Sequence, residues 1–340
     1  MNKDQTRKQE QLTQASRFFN TQKKTDFDQV HLVAPALPES QVTELPTLTL
    51  FNKKASAPFF IEAMTGGSPA SLKINKMLAS AAAKTGIGMA LGSASMLARS
   101  QAQLPSFSIA REENPDGLLW ANVNPNTDPA WAQKIVQELD ADALQIHVNS
   151  AQELAMTGGD RDFHWLDNIV AIKNAVSVPV IVKGVGFGFD KHSLQQLTKN
   201  ELTWVDLGGA GGTNFVQIEQ ARSGQLKYAG LADCGLSTAA SLLLAQKVPQ
   251  LHYFASGGIR KPLDVIKSLV LGASGAGVAA TFLQTVETGG APALIDQIND
   301  WREQLAGFLA LLGAASWQDL QKAPYYLDWP LKSKVDQLLN

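Results

Sequence analysis

Two kinds of residue pattern in this chain could do chemistry. The first is a polar cluster, His147, Asn149, Gln152 and Glu153, packed into seven residues directly after the apolar run Ala143-Leu144-Gln145-Ile146. The second is a set of glycine-rich turns: Asp206-Leu207-Gly208-Gly209-Ala210-Gly211-Gly212-Thr213, Ser256-Gly257-Gly258-Ile259-Arg260 and Gly277-Val278-Ala279-Ala280-Thr281. Serial backbone N–H groups in such turns bind a phosphate dianion without formal charge, and Arg260 could add a charge-assisted bond. The competing readings are a solvated loop for the polar cluster and steric packing at a crowded bend for each turn.

Two further pieces fit a bound ligand. Ala63-Met64-Thr65-Gly66-Gly67-Ser68 follows an apolar run and precedes a helical pattern. Glycines there let backbone approach a flat ligand, and Thr65 can bond its heteroatoms; a tight turn capped by Ser68 would look the same. Lys183 ends the apolar run Val180-Ile181-Val182. A lysine there is costly to bury unpaired, so it sits either against the ligand beside His147 or snorkels to solvent.

The elements that must position these residues alternate. Apolar runs fall at Phe59–Ala63, Ile87–Leu91, Leu118–Asn122, Ala143–His147, Val178–Val182, Trp204–Leu207, His252–Ala255 and Ala276–Ala279. Helical spacing separates them at Ala70–Lys84, Ser106–Arg111, Pro129–Leu139, Trp165–Ala175, Lys191–Lys199, Thr238–Gln246 and Pro262–Leu271, and returns at Ala291–Leu312 before a tail, Trp317–Leu339. The alternation predicts an α/β fold, a TIM (β/α)8 barrel, with an open doubly wound sheet as the competitor. Residues 1–50, with Pro35, Pro38 and Pro46, read as an N-terminal extension: a short helix over about 8–20, then extended chain. The barrel and C-terminal helices take 51–340. The long gap from Leu207 to His252 implies an ordered loop or a lid.

Composition bounds the partners. The 340 residues are 45% hydrophobic and 18% charged, with a formal net charge of -2. No broad basic field attracts nucleic acid, and no apolar run is long enough for a membrane span. The N-terminal stretch lacks the apolar core of a signal peptide, so a cytoplasmic location is expected. The single cysteine, Cys234, excludes an internal disulfide framework and reads as a plain buried thiol.

Taken together, the residues resemble the type 2 isopentenyl-diphosphate isomerases, the FMN-dependent family. The resemblance runs from Arg7-Lys8 to about Ala280 and rests on Met64-Thr65-Gly66-Gly67, Leu91-Gly92-Ser93, Asn122, the His147–Glu153 element, Gly159–Phe163, Val182-Lys183, Gly209–Thr213, Ser256–Arg260 and Ala279-Ala280. It implies FMN across the C-terminal mouth of a TIM barrel, held by Ala63, Met64, Thr65, Ser93, Asn122, Lys183, Gly208, Thr213, Gly257, Gly258, Ile259, Arg260, Ala279 and Ala280. It implies isopentenyl diphosphate as substrate, dimethylallyl diphosphate as product, Mg2+, and reduced FMN supplied by NADPH. Arg7 and Lys8 would clamp the diphosphate, in the same chain or across a subunit contact, and a homo-oligomer (tetramer or octamer) is expected.

The residue types suit that chemistry. Glu153 is a hard oxygen ligand for Mg2+. His147, Asn149 and Gln152 could donate to the diphosphate, the imidazole neutral or charged. Lys183 would stabilise the reduced ring's negative charge. With no strong protein acid evident, the reduced flavin itself would exchange the protons. The chain departs from the family at Gln11, at Gly184 and Gly208, and at Ala94-Ser95. An FMN-dependent oxidoreductase of the hydroxy-acid oxidase type, or a non-catalytic flavin-binding barrel, is the alternative. The oxidase reading needs a proton-abstracting histidine in the later loops, and His252 reads as a buried structural residue instead. His164 and Trp165 are expected to position the loop after Gly159-Asp160.

Overall fold

The computed structural model describes Thr6, Lys8, Glu10, Thr13, Gln14, residues 24–224 and residues 227–339. Eight parallel strands close into a barrel. In chain order they are β4 (Phe59–Ile61), β5 (Gly88–Ala90), β6 (Leu119–Val123), β7 (Ala143–Val148), β8 (Val180–Gly184), β9 (Trp204–Asp206), β10 (His252–Ser256) and β11 (Gly275–Val278), and β11 pairs back on β4. The expected barrel is therefore observed, with each strand within a residue or two of the apolar run that predicts it. The strands are short and apolar because both faces are covered: one by the ring of helices, the other by the barrel interior.

The N-terminal end of the barrel is plugged. A hairpin of β2 (Leu48–Leu50) and β3 (Lys53–Ala55) turns through Phe51 and Asn52, both at positive φ (49° and 64°), the two-residue geometry that matches strand twist. The Phe51 ring packs edge-on against Trp204 and Trp120, at 4.8 and 5.9 Å between centroids. Above it Phe60, Trp120, Ile181 and Phe254 fill the barrel. The interior at this level is hydrocarbon, so any ligand must use the opposite end.

The N-terminal extension is more structured than the prolines suggest. A 3-10 turn (Asp26–Gln29) leads into β1 (Val30–Leu32), which pairs antiparallel with β12 (Tyr325–Leu327) from the C-terminal tail. Phe27 and Val30 are buried in the main core with Leu331 and Val335 of the last helix, Trp329–Leu339. Residues 33–47 carry no regular structure, as the prolines require. The last long helical stretch begins at Ala280, earlier than its periodicity indicates, and breaks at Gly290 (φ 70°, ψ −168°), two residues before Pro292. The described residues of the gap after β9 form a helix (Phe215–Ser223), a 3-10 turn (Ala229–Asp233) and a helix (Thr238–Ala245).

Candidate active site at the mouth of the barrel

Side chains on one face of a strand recur every second residue. Stepping two residues beyond each packed interior residue turns hydrocarbon into polar groups: Phe60 to Glu62, Trp120 to Asn122, Ala143 to Gln145 and then His147, Ile181 to Lys183, Trp204 to Asp206, Phe254 to Ser256. These form a polar storey at the C-terminal end. Above it lies a cleft of about 690 Å³, open to solvent and lined among others by Met64, Thr65, Ser93, Asn122, His147 and Lys183.

Lys183 neither snorkels nor stands free. Its ammonium donates to Asp206 Oδ2 (2.7 Å) and Ser256 Oγ (2.9 Å) and lies 3.2 Å from Glu62 Oε2. Ser256 Oγ in turn donates to Asp206 Oδ1 at 2.6 Å. Burial and the Glu62 charge push the Asp206 carboxyl up to about 8, against the pull of Lys183. Burial also opposes ionisation of Glu62, but Lys183 and the hydrogen bonds to it outweigh this and hold its pKa below the usual range. Burial likewise opposes the charged form of Lys183, and the two carboxylates reverse that and raise its pKa. At neutral pH the cluster thus holds one proton between two carboxyls and carries no net charge. Gly277 is glycine because a Cβ there would strike the Glu62 carboxylate. Sequence reasoning found Lys183 and missed Glu62, Gln145, Asp206 and Ser256; the period-two step was the available signal.

A chain of amides runs from Glu62 to His147. Glu62 Oε1 accepts from the Ala63 N–H (2.6 Å) and from Gln145 Nε2 (3.2 Å). Gln145 Oε1 accepts from Asn122 Nδ2 (3.1 Å), and Asn122 Oδ1 meets His147 Nδ1 at 2.8 Å. Desolvation, then the nearby Lys8 charge, drives the His147 pKa down to about 4, although the Val123 carbonyl works the other way. At pH 7 the ring is neutral, with Nδ1 held against Asn122 Oδ1.

The rest of the polar cluster divides by role. Asn149 caps the short helix Ser150–Ala155: its Oδ1 accepts from the Gln152 N–H (2.8 Å), while its Nδ2 donates to the Val185 carbonyl (2.7 Å). The oxygen and one amide N–H are thus committed within the protein, and the second N–H is the one that the expected donation to substrate would use. Gln152 and Lys8 reach the cleft, Lys8 donating to the Ser93 carbonyl at 2.7 Å. Arg7 and Gln11 lie outside the described residues. Glu153 stands beside Gln152 in the helix's first turn, and its Oε2 accepts from the Asp160 N–H at 2.7 Å. Asp160 is anchored by Asn126 and by the Trp165 indole (2.6 and 3.1 Å), which lower its pKa to about 2. Trp165 positions this loop as expected; the His164 side chain is 98% exposed and bonds only Asp162 among the described residues.

The glycine-rich turns are largely steric. A Cβ on Gly208 would strike the Gly184 carbonyl, and one on Gly257 the Gly209 carbonyl. A Cβ on Gly184 would meet the Leu207 carbonyl and the Phe189 ring. Gly258, at φ 80°, lies against Gly211 and Thr25. Neither these turns nor Thr213, Ile259, Arg260, Ala279 and Ala280 line the cleft. Arg260 is not free to hold a phosphate as expected. Its guanidinium is paired with Asp28 (2.8 Å) and Asp264 (3.2 Å), and its backbone N–H donates to Asp264 (3.0 Å). The Met64–Ser68 segment fulfils both of its readings: it lines the cleft, and Ser68 caps the helix Pro69–Thr85. The Thr65 hydroxyl is spent on Asn75 Oδ1 (2.5 Å), leaving backbone to face a ligand.

Two minor expectations are corrected. Cys234 is exposed, since its 3-10 turn lies on the outer connection after β9. His252 is exposed too, stacked on Trp204 at 4.6 Å where β10 begins, at the opposite end of the barrel from the cleft. Of the five histidines only His147 lines the cleft.

A flat, anionic cofactor fits this cleft. Residues Ala63 to Gly66 line it, and Lys183 supplies a cation. No group of three His, Cys, Asp or Glu that could cage a metal occurs among the described residues.

Comparison with known proteins agrees. Residues 109–326 match the FMN-dependent dehydrogenase family model. The isopentenyl-diphosphate delta-isomerase of Limosilactobacillus reuteri (strain JCM 1112) is 41% identical over 97% of each chain. That of Staphylococcus haemolyticus is 42% identical over 92% of this chain and 90% of its own. Among solved structures, a flavocytochrome b2 variant aligns with a TM-score of 0.69 at 19% identity, over 98% of this chain and 81% of that one. Mandelate oxidase with (S)-2-phenylpropionate gives 0.63 at 15%, over 93% and 90%. Those likenesses speak to the barrel alone; the sequence relatives are of another order, and by them the chain belongs to the isopentenyl-diphosphate delta-isomerase family.

Proposed function

We propose that this protein interconverts isopentenyl diphosphate and dimethylallyl diphosphate, with FMN reduced by NADPH and Mg2+ as cofactors, as a cytoplasmic homo-oligomer. The observation that carries the reading, beside family membership, is the titratable content of the cleft. Its described lining has two lysines, Lys8 and Lys183, and one histidine held neutral, and no carboxyl. Moving a proton across an unactivated alkene needs an acid and a base, and the side chains at hand supply neither near pH 7. Reduced FMN would supply that acid–base chemistry when bound.

The chain's own residues bind and orient. Lys8 and Gln152, which line the cleft, would take the diphosphate, and Arg7 would be the third group on it. Glu153 would hold the magnesium ion that neutralises the diphosphate. Ala63, Met64 and Thr65 would flank the flavin with Ser93 and Asn122, and Lys183 would face its reduced ring. Gly208, Thr213, the Gly257–Arg260 turn and Ala279-Ala280 would contribute backbone toward its phosphate.

The hydroxy-acid oxidase alternative loses its base, because His252 is at the far end of the barrel. The test is anaerobic incubation of the purified protein with FMN, NADPH, Mg2+ and isopentenyl diphosphate. Dimethylallyl diphosphate should form, and 5-deaza-FMN should abolish turnover. Oxygen consumption with a 2-hydroxy acid, or normal turnover with 5-deaza-FMN, would overturn the assignment.

A further inference from the structure

We propose that Glu62 and Gln145, neither of which reaches the cleft, are positioning residues that fix His147 as its Nδ1–H tautomer. They thereby make the cleft side of that ring a hydrogen-bond acceptor. The argument is one of polarity. Amides can be turned end for end, and an amide chain by itself has no preferred direction. A carboxylate removes the choice. Glu62 Oε1 can only accept, and it already takes the Ala63 N–H. Gln145 must therefore turn its NH2 toward Glu62, leaving its oxygen for Asn122. Asn122 must then give its NH2 to Gln145 and turn its oxygen to His147, so Nδ1 must carry the proton; the Val123 carbonyl, a second acceptor on the ring, can only favour a protonated nitrogen as well, and the Gln145→Met variant separates the two influences. Each of the three linking residues is 3% exposed or less, so water does not readily substitute for a missing partner.

The consequence concerns what His147 recognises. With Nδ1–H fixed, Nε2 is a lone pair in a residue that lines the cleft. Such a nitrogen repels a bare phosphate oxygen and accepts from an N–H or O–H. The chemistry it selects is a hydrogen-bond donor, carried either by a flavin ring N–H or by a water bound to the diphosphate's metal ion. That pairing with a ligand rests on the function proposed above; the tautomer does not, and it is measurable in the protein without any ligand.

The test is long-range ¹H–¹⁵N correlation of protein labelled with ¹⁵N-histidine at pH 7.5, the His147 signals being those absent from H147Q. The wild type should give a protonated, pyrrole-type Nδ1 and a pyridine-type Nε2. Gln145→Met cuts the chain while keeping its bulk, and should shift the tautomer ratio toward Nε2–H by about five-fold, the worth of one hydrogen bond. Where that variant fails to fold, the wild-type spectrum alone decides. A wild-type Nε2–H tautomer, an imidazolium at this pH, or a tautomer ratio unmoved in Gln145→Met would each overturn the proposal. Adding FMN alone, and then inorganic pyrophosphate with Mg2+, identifies the donor. The addition that moves Nε2 upfield while Nδ1 stays protonated supplies it, and no Nε2 response to either would overturn the acceptor role. A catalytically dead protein with the expected spectrum would fail the isomerase reading and leave the tautomer assignment standing.

Discussion

Replacing Lys183 with methionine tests the electrostatic design of the polar storey. The substitution keeps the bulk of the side chain and deletes the only cation among Glu62, Asp206 and Ser256. Three contacts vanish, at 2.7, 2.9 and 3.2 Å. Two carboxyls that are 3% and 0% exposed are left without a counter-charge. Removing one partner of a buried ion pair costs about 3–5 kcal/mol when the other stays charged. The variant escapes part of that cost by protonating Glu62 as well as Asp206, which fixes the sign of its pH dependence. In the variant both carboxyls have folded-state pKa values above their unfolded ones. Their contribution is then fully present below about pH 4 and is lost as pH rises through the folded values. Urea unfolding followed by tryptophan fluorescence should show Lys183→Met less stable than wild type by about 3 kcal/mol or more at pH 7.5, and by clearly less at pH 5.5. Adding Asp206→Asn should restore part of the loss at pH 7.5. Wild-type stability in Lys183→Met at pH 7.5, or a deficit that grows on acidification, would refute the neutral-cluster account.

Glu153→Gln should leave folding intact and raise the Mg2+ concentration for half-maximal isomerase activity by about ten-fold or more, read by magnesium titration. Asn149→Ala deletes the cap of Ser150–Ala155 and should cost about 1 kcal/mol of stability while raising KM more than it lowers kcat; Asn149→Asp should recover the stability part in a denaturant titration. Arg260→Met should lower stability by about 2 kcal/mol or more, because the Asp28 pair is partly exposed but the Asp264 carboxylate is fully buried, and should change the FMN dissociation constant less than about three-fold by fluorescence quenching. The raised Asp206 pKa gives a wild-type signature of its own. Its stabilising contribution is present below its unfolded pKa and disappears as pH climbs from about 4 toward about 8, and Asp206→Asn should flatten that part of the stability–pH curve.

The barrel was legible because each strand is an apolar run and each crossover carries helical spacing, and both signals are local. The extension was less so: β1 exists only because Tyr325–Leu327, nearly 300 residues downstream, pairs with it, and no window on residues 30–32 contains that partner. The cleft residues Met64, Thr65, His147, Gln152 and Lys183 were readable from residue type at strand ends, and Ser93 and Asn122 from the family resemblance. What residue type could not give was the state of each group. Asn149 reads as a ligand donor, yet its oxygen caps a helix and one amide N–H is taken by Val185, and Arg260 looks like a phosphate clamp until Asp28 arrives from the extension.

The same limit explains why Glu62 and Gln145 went unseen. A carboxylate at the end of Phe59-Phe60-Ile61 and a glutamine inside Ala143-Leu144-Gln145-Ile146 are unremarkable within their own strands. They acquire meaning only in the closed barrel, where β4 and β7 face each other across the interior and Gln145 reaches Glu62 from 83 positions away. Closure also explains why such groups are tolerated. An isolated buried carboxylate is prohibitively costly, but a ring of strands brings a lysine, a second carboxyl, a serine and two amides to one level, so every charge finds an opposite and nearly every donor an acceptor. The net charge of that level is zero at neutral pH, and its hydrogen bonds have one allowed direction. A ligand entering the cleft therefore meets dipoles already set, which need not reorganise as charge develops on it.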